Sequence, residues 1–158
     1  MSDIVPSGRA EPGAAATRVL FVCTHNSARS IMAESLLRAR GGDGYEVFSA
    51  GTHAGAIRPQ TLQVLEEAGL PTDGLRSKSV EEFMGRRFDF VITVCDRARG
   101  ECPVFPGGSQ REHWSFDDPS EAEGSEEAQL DAYRRTLRLI SRRIDRFVRV
   151  ERQPQADG

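Results

Sequence analysis

The sequence has few of the residues that mark several specialised classes of protein. Its 158 residues include three cysteines, one tryptophan and a single lysine, and no apolar run is long enough for a signal peptide or a membrane span. Three cysteines without a secretory signal indicate a reducing, cytoplasmic setting, in which cysteines are more often catalytic or metal-binding than structural. Their spacing to the histidines resembles no zinc site, so we expect no bound metal.

Charge and length exclude further classes. The formal net charge of −3 argues against a protein that binds nucleic acid or a membrane surface. A chain of 158 residues, 38% hydrophobic and 28% charged, fits one soluble domain. We expect this domain to span residues 18–150 and to be a monomer, with a flexible extension over residues 1–17 and a polar tail over residues 151–158.

Strand-like apolar segments alternate with segments of helical periodicity. The predicted strands are Arg18–Cys23, Tyr45–Ala50, Phe88–Cys95 and Glu112–Phe116. The predicted helices are one from Ser30 to a stop at Gly41 and Gly42, one over Pro59–Ala68, a short one opened by a capping box of Ser79 and Glu82, and a long one over Glu126–Val150. This alternation predicts an α/β fold, a single-domain three-layer sandwich whose four-stranded parallel sheet has the flavodoxin-like order 2-1-3-4.

The loop after the first predicted strand carries the strongest functional signal. It reads Cys-Thr-His-Asn-Ser-Ala-Arg-Ser from Cys23 to Ser30. A tetrahedral oxyanion is bound by converging backbone N–H groups, a helix N-terminus and a planar cation, and this loop can supply all three, with Arg29 as the cation. The same field predicts that Cys23 is a thiolate near neutral pH. Packing alone would explain a lone buried cysteine, but the polar residues around this one favour a nucleophile.

The predicted topology brings two further reactive groups to this loop. Ligands of such sheets bind beyond the carboxyl ends of the strands, near the switch point between the first and third strands. Cys95 ends the predicted third strand and the fourth leads to Asp118, so we predict that both lie beside Cys23. Each residue alone also has a simpler explanation, because Cys95 could be packed in the core and Asp118 before Pro119 could initiate a turn.

A third cysteine, Cys102, follows Cys95 by seven residues. If the intervening segment is helical, the two Cα atoms are about 10.5 Å apart, whereas a disulfide needs about 4.4–6.8 Å. A bond between these cysteines would therefore require the segment to refold. Gly100 and Pro103 make the segment a poor helix and a plausible flexible one.

With these residues in place, the chain resembles thioredoxin-coupled arsenate reductases built on the low-molecular-weight tyrosine phosphatase fold. The resemblance covers Arg18 to about Val148 and rests on four motifs. These are the Cys-x5-Arg loop at Cys23, the run Ser49-Ala50-Gly51, the Cys-x6-Cys pair of Cys95 and Cys102, and the run Glu112-His-Trp-Ser-Phe-Asp-Asp-Pro119. Phosphatases of this fold share the first motif, whereas the cysteine pair separates the reductases from them.

The resemblance implies a relay that reduces arsenate to arsenite and so detoxifies arsenic. Cys23 would attack arsenic while Asp118, as general acid, protonates the departing oxygen; Cys95 would then attack Cys23 and expel arsenite. Cys102 would next attack Cys95, which leaves a disulfide for thioredoxin to reduce. Arsenate, or phosphate or sulfate in competition, would be bound by residues of the loop, which are Thr24, His25, Asn26, Ser27, Ala28, Arg29 and Ser30. No tightly bound cofactor is implied.

One departure from the family and three alternatives remain. Where some of these reductases have an Asp at a potassium site, this chain has Lys78, which predicts no potassium dependence because a cation would not bind beside an ammonium group. A phosphotyrosine or phosphomonoester phosphatase would use Cys23, Arg29 and Asp118 but leave the other two cysteines unused. An arsenate transferase linked to a small thiol would dispense with the downstream pair. A non-enzymatic oxyanion or redox sensor would share the site.

Overall fold

A four-stranded parallel sheet forms the centre of the structure, a computed structural model that describes residues 16–152. The strands are β1 (Thr17–Cys23), β2 (Tyr45–Gly51), β3 (Phe90–Thr93) and β4 (Gln110–His113). Their order is β2-β1-β3-β4 and every pairing is parallel. The predicted fold class and strand order are therefore confirmed.

Within the described residues, four α-helices accompany the sheet. They are α1 (Arg29–Gly41), α2 (Pro59–Glu67), α3 (Asp96–Glu101) and α4 (Glu126–Arg152), and short 3₁₀ helices cover Gly42–Gly44, Val80–Phe83 and Pro119–Glu121. The helices α1, α2 and α4 pack on one another, and α1 also packs on β1 and β2. The predicted apolar face of α4 is buried in this layer, with Tyr133, Ile140 and Ile144 almost completely inaccessible. Within residues 16–152, no helix combines the length and the apolarity that a membrane span requires.

Several predicted boundaries need correction. The strand β3 ends at Thr93, two residues before Cys95, and β4 covers Gln110–His113 instead of Glu112–Phe116. The edge strand β4 is polar and lacks the apolar pattern that marks a buried strand. The predicted strand was therefore placed too late in the sequence, over the aromatic residues that follow β4. Two elements extend past the ends of the predicted domain of residues 18–150, since β1 already includes Thr17 and α4 continues to Arg152. Residues 1–15 and 153–158 of the predicted extension and tail lie outside the described residues.

The short helix after Ser79 also differs from the prediction. It is a 3₁₀ helix, and the Ser79 hydroxyl accepts a hydrogen bond from the backbone N–H of Glu81. The expected reciprocal capping box does not form, because the Glu82 carboxylate instead accepts two hydrogen bonds from the Arg76 guanidinium, at 2.8 and 3.0 Å. An exposed arginine six residues earlier was therefore the stronger partner for this glutamate.

Candidate active site

The segment Cys23–Ser30, here called the oxyanion loop, joins the end of β1 to the start of α1. Asn26 holds the loop's shape in a left-handed backbone conformation, with a φ of 52°. Its side chain donates to the hydroxyl groups of Ser30 at 2.7 Å and Ser49 at 3.0 Å, and it accepts the backbone N–H of Lys78 at 2.7 Å. The loop is therefore tied to α1, to β2 and to the segment before β3 through one amide.

A glycine of β2 makes room for the loop. Gly51 pairs with Cys23 in the sheet, and a Cβ added at Gly51 would lie 2.6 Å from the Thr24 carbonyl oxygen and 2.9 Å from the Asn26 nitrogen. No side chain fits at such distances. The run Ser49-Ala50-Gly51 thus supplies both a hydrogen-bond partner and the close approach that the loop needs.

Cys23 is buried at the base of the oxyanion loop, with 3% of its surface exposed. Its sulfur lies 2.8 Å from the Ser30 hydroxyl and accepts a hydrogen bond from the backbone N–H of Asn26 at 3.2 Å. Burial raises the pKa of this thiol, and the donors from Ser30 and Asn26 only partly offset that effect. Within this structure desolvation outweighs the hydrogen bonds, so the shift of the pKa runs opposite to the expected thiolate near neutral pH.

Cys95 lies beside the loop, as predicted from the topology. It is buried directly before α3, and its sulfur lies 3.2 Å from the Thr24 hydroxyl oxygen. Thr24 was predicted only as one of the residues of the oxyanion-binding loop, so this side-chain contact was missed. Nothing in the sequence around Thr24 indicates this contact, because its hydroxyl lies near Cys95 only as a result of the pairing of β1 with β3.

Cys102 stands at the other end of α3 and is separated from Cys95 by the whole helix. All three cysteines are free thiols, and Cys102 is the most accessible of them. The predicted poor helix is in fact formed over Asp96–Glu101, so the structure does not bring Cys102 to Cys95. A disulfide between them requires α3 to unfold.

Arg29 and Asp118 face one another across the opening of the loop. The Arg29 guanidinium donates to the carbonyl oxygen of Phe116 at 2.9 Å and lies 3.5 Å from an Asp118 carboxylate oxygen. Asp118 also accepts hydrogen bonds from the backbone N–H and the hydroxyl of Ser120, at 2.9 and 2.8 Å. Partial burial raises the pKa of Asp118. The hydrogen bonds from Ser120 and the positive charges of Arg29 and Arg58 lower this pKa by more than burial raises it, so the net shift is downward.

The remaining loop residues line or support a cavity of about 390 Å³. Its walls include Thr24, His25, Arg29, Cys95 and Asp118. His25 is exposed and contacts the carbonyl oxygen of His53 through its Nδ1 atom. The Ser27 carbonyl accepts a hydrogen bond from the Thr61 hydroxyl at 2.8 Å, and the Ala28 carbonyl accepts one in the first turn of α1.

A buried charged cluster lies behind the oxyanion loop and was only partly foreseen. Lys78 Nζ lies 3.6 Å from a Glu34 carboxylate oxygen, and it donates to the Ser49 hydroxyl at 3.3 Å and to the Arg76 carbonyl at 2.8 Å. Burial lowers the pKa of Lys78, and the Glu34 carboxylate opposes that shift. Among residues 16–152, no group of three or more His, Cys, Asp or Glu side chains is arranged to hold a metal ion.

Comparisons with known proteins agree with this geometry. The family model for the low molecular weight phosphotyrosine protein phosphatase matches residues 18–156. An arsenate reductase of Bacillus licheniformis is 39% identical over 129 residues, which cover 82% of this chain and 93% of the relative. The crystal structure of an arsenate reductase from Archaeoglobus fulgidus is similar with a TM-score of 0.67 and 31% identity, over 82% of this chain and 98% of the other. A thioredoxin-dependent arsenate reductase of Corynebacterium glutamicum is similar with a TM-score of 0.57 and 29% identity, over 85% of this chain and 64% of the other.

Proposed function

This chain belongs to the low molecular weight phosphotyrosine protein phosphatase family, and from that premise we propose that it is an arsenate reductase with a three-cysteine relay that thioredoxin recycles. Relatives and solved structures that carry the name arsenate reductase support the reaction. The observation that carries the relay is the pair of free thiols at the two ends of α3, one beside the oxyanion loop and one nearer the surface. A phosphatase needs neither of them.

Arsenate binds as a tetrahedral oxyanion on the backbone N–H groups of the oxyanion loop and at the N-terminus of α1. Arg29 turns from the Phe116 carbonyl to the oxyanion, where its planar fork matches two oxygens. Phosphate and sulfate have the same shape and charge, so they compete for the loop. The binding site is built from backbone and side-chain donors, and the reaction needs no tightly bound cofactor.

In the first step the Cys23 thiol gives its proton to the bound oxyanion, and the resulting thiolate attacks arsenic. The sulfur–arsenic bond forms, one arsenic–oxygen bond breaks, and Asp118 donates a proton so that the departing hydroxyl leaves as water. In the resting structure Arg29 helps to keep Asp118 ionised. An oxyanion that draws Arg29 away and adds negative charge raises the pKa of this carboxyl, which prepares it to act as an acid.

In the second step Cys95 attacks the Cys23 sulfur. The sulfur–arsenic bond breaks with its electron pair on arsenic, so arsenic(V) becomes arsenic(III), the Cys95 proton passes to the departing arsenite, and the two sulfurs become the Cys23–Cys95 disulfide. The Thr24 hydroxyl, 3.2 Å from the Cys95 sulfur, can donate to the attacking thiolate. Arsenite then leaves through the cavity that the oxyanion loop lines.

In the third step Cys102 attacks Cys95 after α3 unfolds. The Cys95–Cys102 disulfide forms, Cys23 leaves as a thiolate, and thioredoxin reduces the new disulfide by exchange. We propose a cytoplasmic location as well, because thioredoxin keeps thiols reduced in that compartment, and the monomer expected from the sequence remains part of the proposal. A phosphatase side activity follows from the shared Cys23, Arg29 and Asp118, although Pro119-Ser120-Glu121 supplies no aromatic side chain beside the acid to grip a phosphotyrosine ring.

The test is arsenate-dependent NADPH oxidation with thioredoxin and thioredoxin reductase. We expect turnover by the wild type and loss of turnover in Cys102→Ser. Hydrolysis of p-nitrophenyl phosphate serves as the internal control, because Cys102→Ser leaves the groups for phosphoryl transfer intact. Turnover that survives in Cys102→Ser, or that requires glutathione or mycothiol in place of thioredoxin, would contradict the relay and favour the transferase. Phosphate ester hydrolysis without any arsenate reduction would favour the phosphatase.

A further inference from the structure

The edge strand β4 contacts both ends of α3, the helix between the two resolving thiols. His113 bridges Thr93 and Asp96, with its Nδ1 atom 2.7 Å from the threonine hydroxyl and its Nε2 atom 2.8 Å from the aspartate carboxylate. Two residues earlier on the strand, Arg111 reaches the opposite end of the helix. Alternate residues of a strand project from the same face, so both contacts come from one side of β4.

Arg111 is the contact that involves Cys102. Its guanidinium donates to the Pro103 carbonyl oxygen at 2.9 Å and to the Cys102 carbonyl oxygen at 3.4 Å. The same side chain lines a polar cavity of about 320 Å³ with Thr93, Arg99 and His113. The positive charge therefore lies beside the residue that must act as the nucleophile of the last exchange.

The chemistry of that exchange needs such a charge. Only the thiolate of Cys102 is an effective nucleophile, and partial burial raises the pKa of this thiol. The Arg111 guanidinium, held beside Cys102 by its hydrogen bonds to the Cys102 and Pro103 carbonyl oxygens, opposes that rise in the pKa through its positive charge. An arginine keeps its charge at every relevant pH, so its lowering effect on the pKa of Cys102 does not depend on pH.

We propose that Arg111 is a positioning residue of the relay, which holds Cys102 against the edge of the sheet and keeps its sulfur reactive toward Cys95. This inference rests on the proposed function. The step that it serves is balanced: the Cys95–Cys102 bond forms, the Cys23–Cys95 bond breaks, and the electron pair leaves on the Cys23 sulfur. Cys102 loses one proton and Cys23 can take one up, so no external oxidant is needed.

The first experiment measures Cys102 alone, in protein that carries Cys23→Ser and Cys95→Ser. The rate of alkylation by iodoacetamide is followed against pH. We expect Arg111→Gln to raise the pH midpoint by roughly 0.5–1 and Arg111→Lys to restore most of the wild-type value, because an opposite charge nearby stabilises a thiolate. Arg99→Gln is the matched control, since Arg99 lines the same cavity and should leave the midpoint unchanged.

The direction of the shift separates activation from simple tethering. If Arg111 only holds the chain in place, its loss exposes Cys102, relieves the burial and moves the midpoint down, which would overturn the proposal. An unchanged midpoint would overturn it as well. Neither result depends on arsenate, so this experiment can fail while the proposed function stands.

A second experiment follows the intact relay by rapid quenching and mass spectrometry after arsenate is added to the reduced protein. Arg111→Gln should accumulate the Cys23–Cys95 disulfide and form the Cys95–Cys102 disulfide several-fold more slowly than the wild type or Arg99→Gln. Equal rates in all three proteins would overturn the role of Arg111. A wild type that forms no arsenate-dependent disulfide would instead contradict the proposed function.

Discussion

Groups from the oxyanion loop, α1 and β2 form a chain of hydrogen bonds around Cys23. Ser30 lies 2.8 Å from the sulfur, Asn26 donates to Ser30, and Asn26 also donates to Ser49, which in turn hydrogen-bonds Glu34. A hydroxyl in such a chain is oriented by its neighbours and cannot turn freely. The thiol is nevertheless held above its ordinary pKa by burial, so each donor matters for the population of thiolate.

Removal of the Ser30 hydroxyl tests that dependence. In protein with Cys95→Ser and Cys102→Ser, alkylation of Cys23 should rise with pH through a midpoint above that of an ordinary thiol, because the raised pKa keeps the group protonated at neutral pH. Ser30→Ala should raise this midpoint by about one further unit, the equivalent of ~1.4 kcal/mol of lost thiolate stabilisation.

Ser35→Ala is the matched control for Ser30→Ala. Ser35 is buried on the same helix, and its hydroxyl has no hydrogen-bond partner among residues 16–152. Its removal should leave the midpoint of Cys23 alkylation where it is. If the two variants shift the midpoint equally, the Ser30 hydroxyl does not stabilise the thiolate.

Local motifs predicted the candidate reacting residues, whereas distant packing determines which side chains contact them. Cys23, Arg29 and Asp118 were predicted because their chemistry is visible in short runs of sequence next to strand ends. The contacts of Thr24 with Cys95 and of Arg111 with Cys102 were not predicted. Each of these contacts joins residues on different elements, so it depends on strand pairing and on side-chain direction that one-dimensional patterns do not contain.

At the scale of elements, α3 shows how tertiary contacts override local propensity. Its sequence Asp-Arg-Ala-Arg-Gly-Glu contains a helix-destabilising glycine, yet the helix forms. Pro103 follows the last helical residue by two positions, where proline ends a helix without disturbing it. His53 contacts Glu101 at 2.9 Å and His113 contacts Asp96 at 2.8 Å, so both ends of the helix are held from outside. The helix therefore depends on contacts with other elements as well as on its own sequence.

Gly100→Ala should make that unfolding harder. A Cβ added at Gly100 would meet no described atom within 4 Å, so the substitution fits the folded helix. Alanine stabilises a helix interior by about 1 kcal/mol relative to glycine, which would slow conversion of the Cys23–Cys95 disulfide to the Cys95–Cys102 disulfide by up to about fivefold. The rate is measured by quenching and mass spectrometry after arsenate is added.

Gly44→Ala provides the control for Gly100→Ala. Gly44 lies in the 3₁₀ helix before β2, and a Cβ there would likewise meet no described atom within 4 Å. This variant should convert the disulfide at the wild-type rate. Equal rates for Gly100→Ala and the wild type would mean that α3 does not have to unfold in the exchange.

At the scale of the whole molecule, parallel strand order is what gathers the site. The carboxyl ends of β1, β3 and β4 lie at one edge of the sheet, so Cys23, Cys95 and the loop to Asp118 meet there although they span most of the chain. This convergence could be predicted, because it follows from strand order alone. The buried cluster of Lys78, Glu34 and Ser49 behind the loop could not, since it requires the packing of α1 on β2 and the position of the segment before β3.

That cluster leads to a prediction for the stability of the fold. The side chains of Lys78 and Glu34 are only 9% and 7% exposed, so loss of one partner leaves a buried charge poorly compensated. Lys78→Met should lower the free energy of unfolding in urea by about 3 kcal/mol, the lower end for a broken buried pair, because Arg38 still contacts Glu34 at 2.7 Å. The exposed pair of Arg40 and Asp145 is the control, and Arg40→Met should cost less than about 1 kcal/mol.

The combination of Lys78→Met with Glu34→Gln should cost less than the sum of the two single changes, because the double variant leaves neither charge behind. The ammonium of Lys78 also accounts for the prediction that potassium has no effect: wild-type melting temperatures should agree in potassium and sodium chloride of equal concentration. If potassium stabilises the wild type, a cation binds despite Lys78. If the single costs simply add, Lys78 and Glu34 are not an interacting pair, and another contact orients Ser49 and, through it, the oxyanion loop.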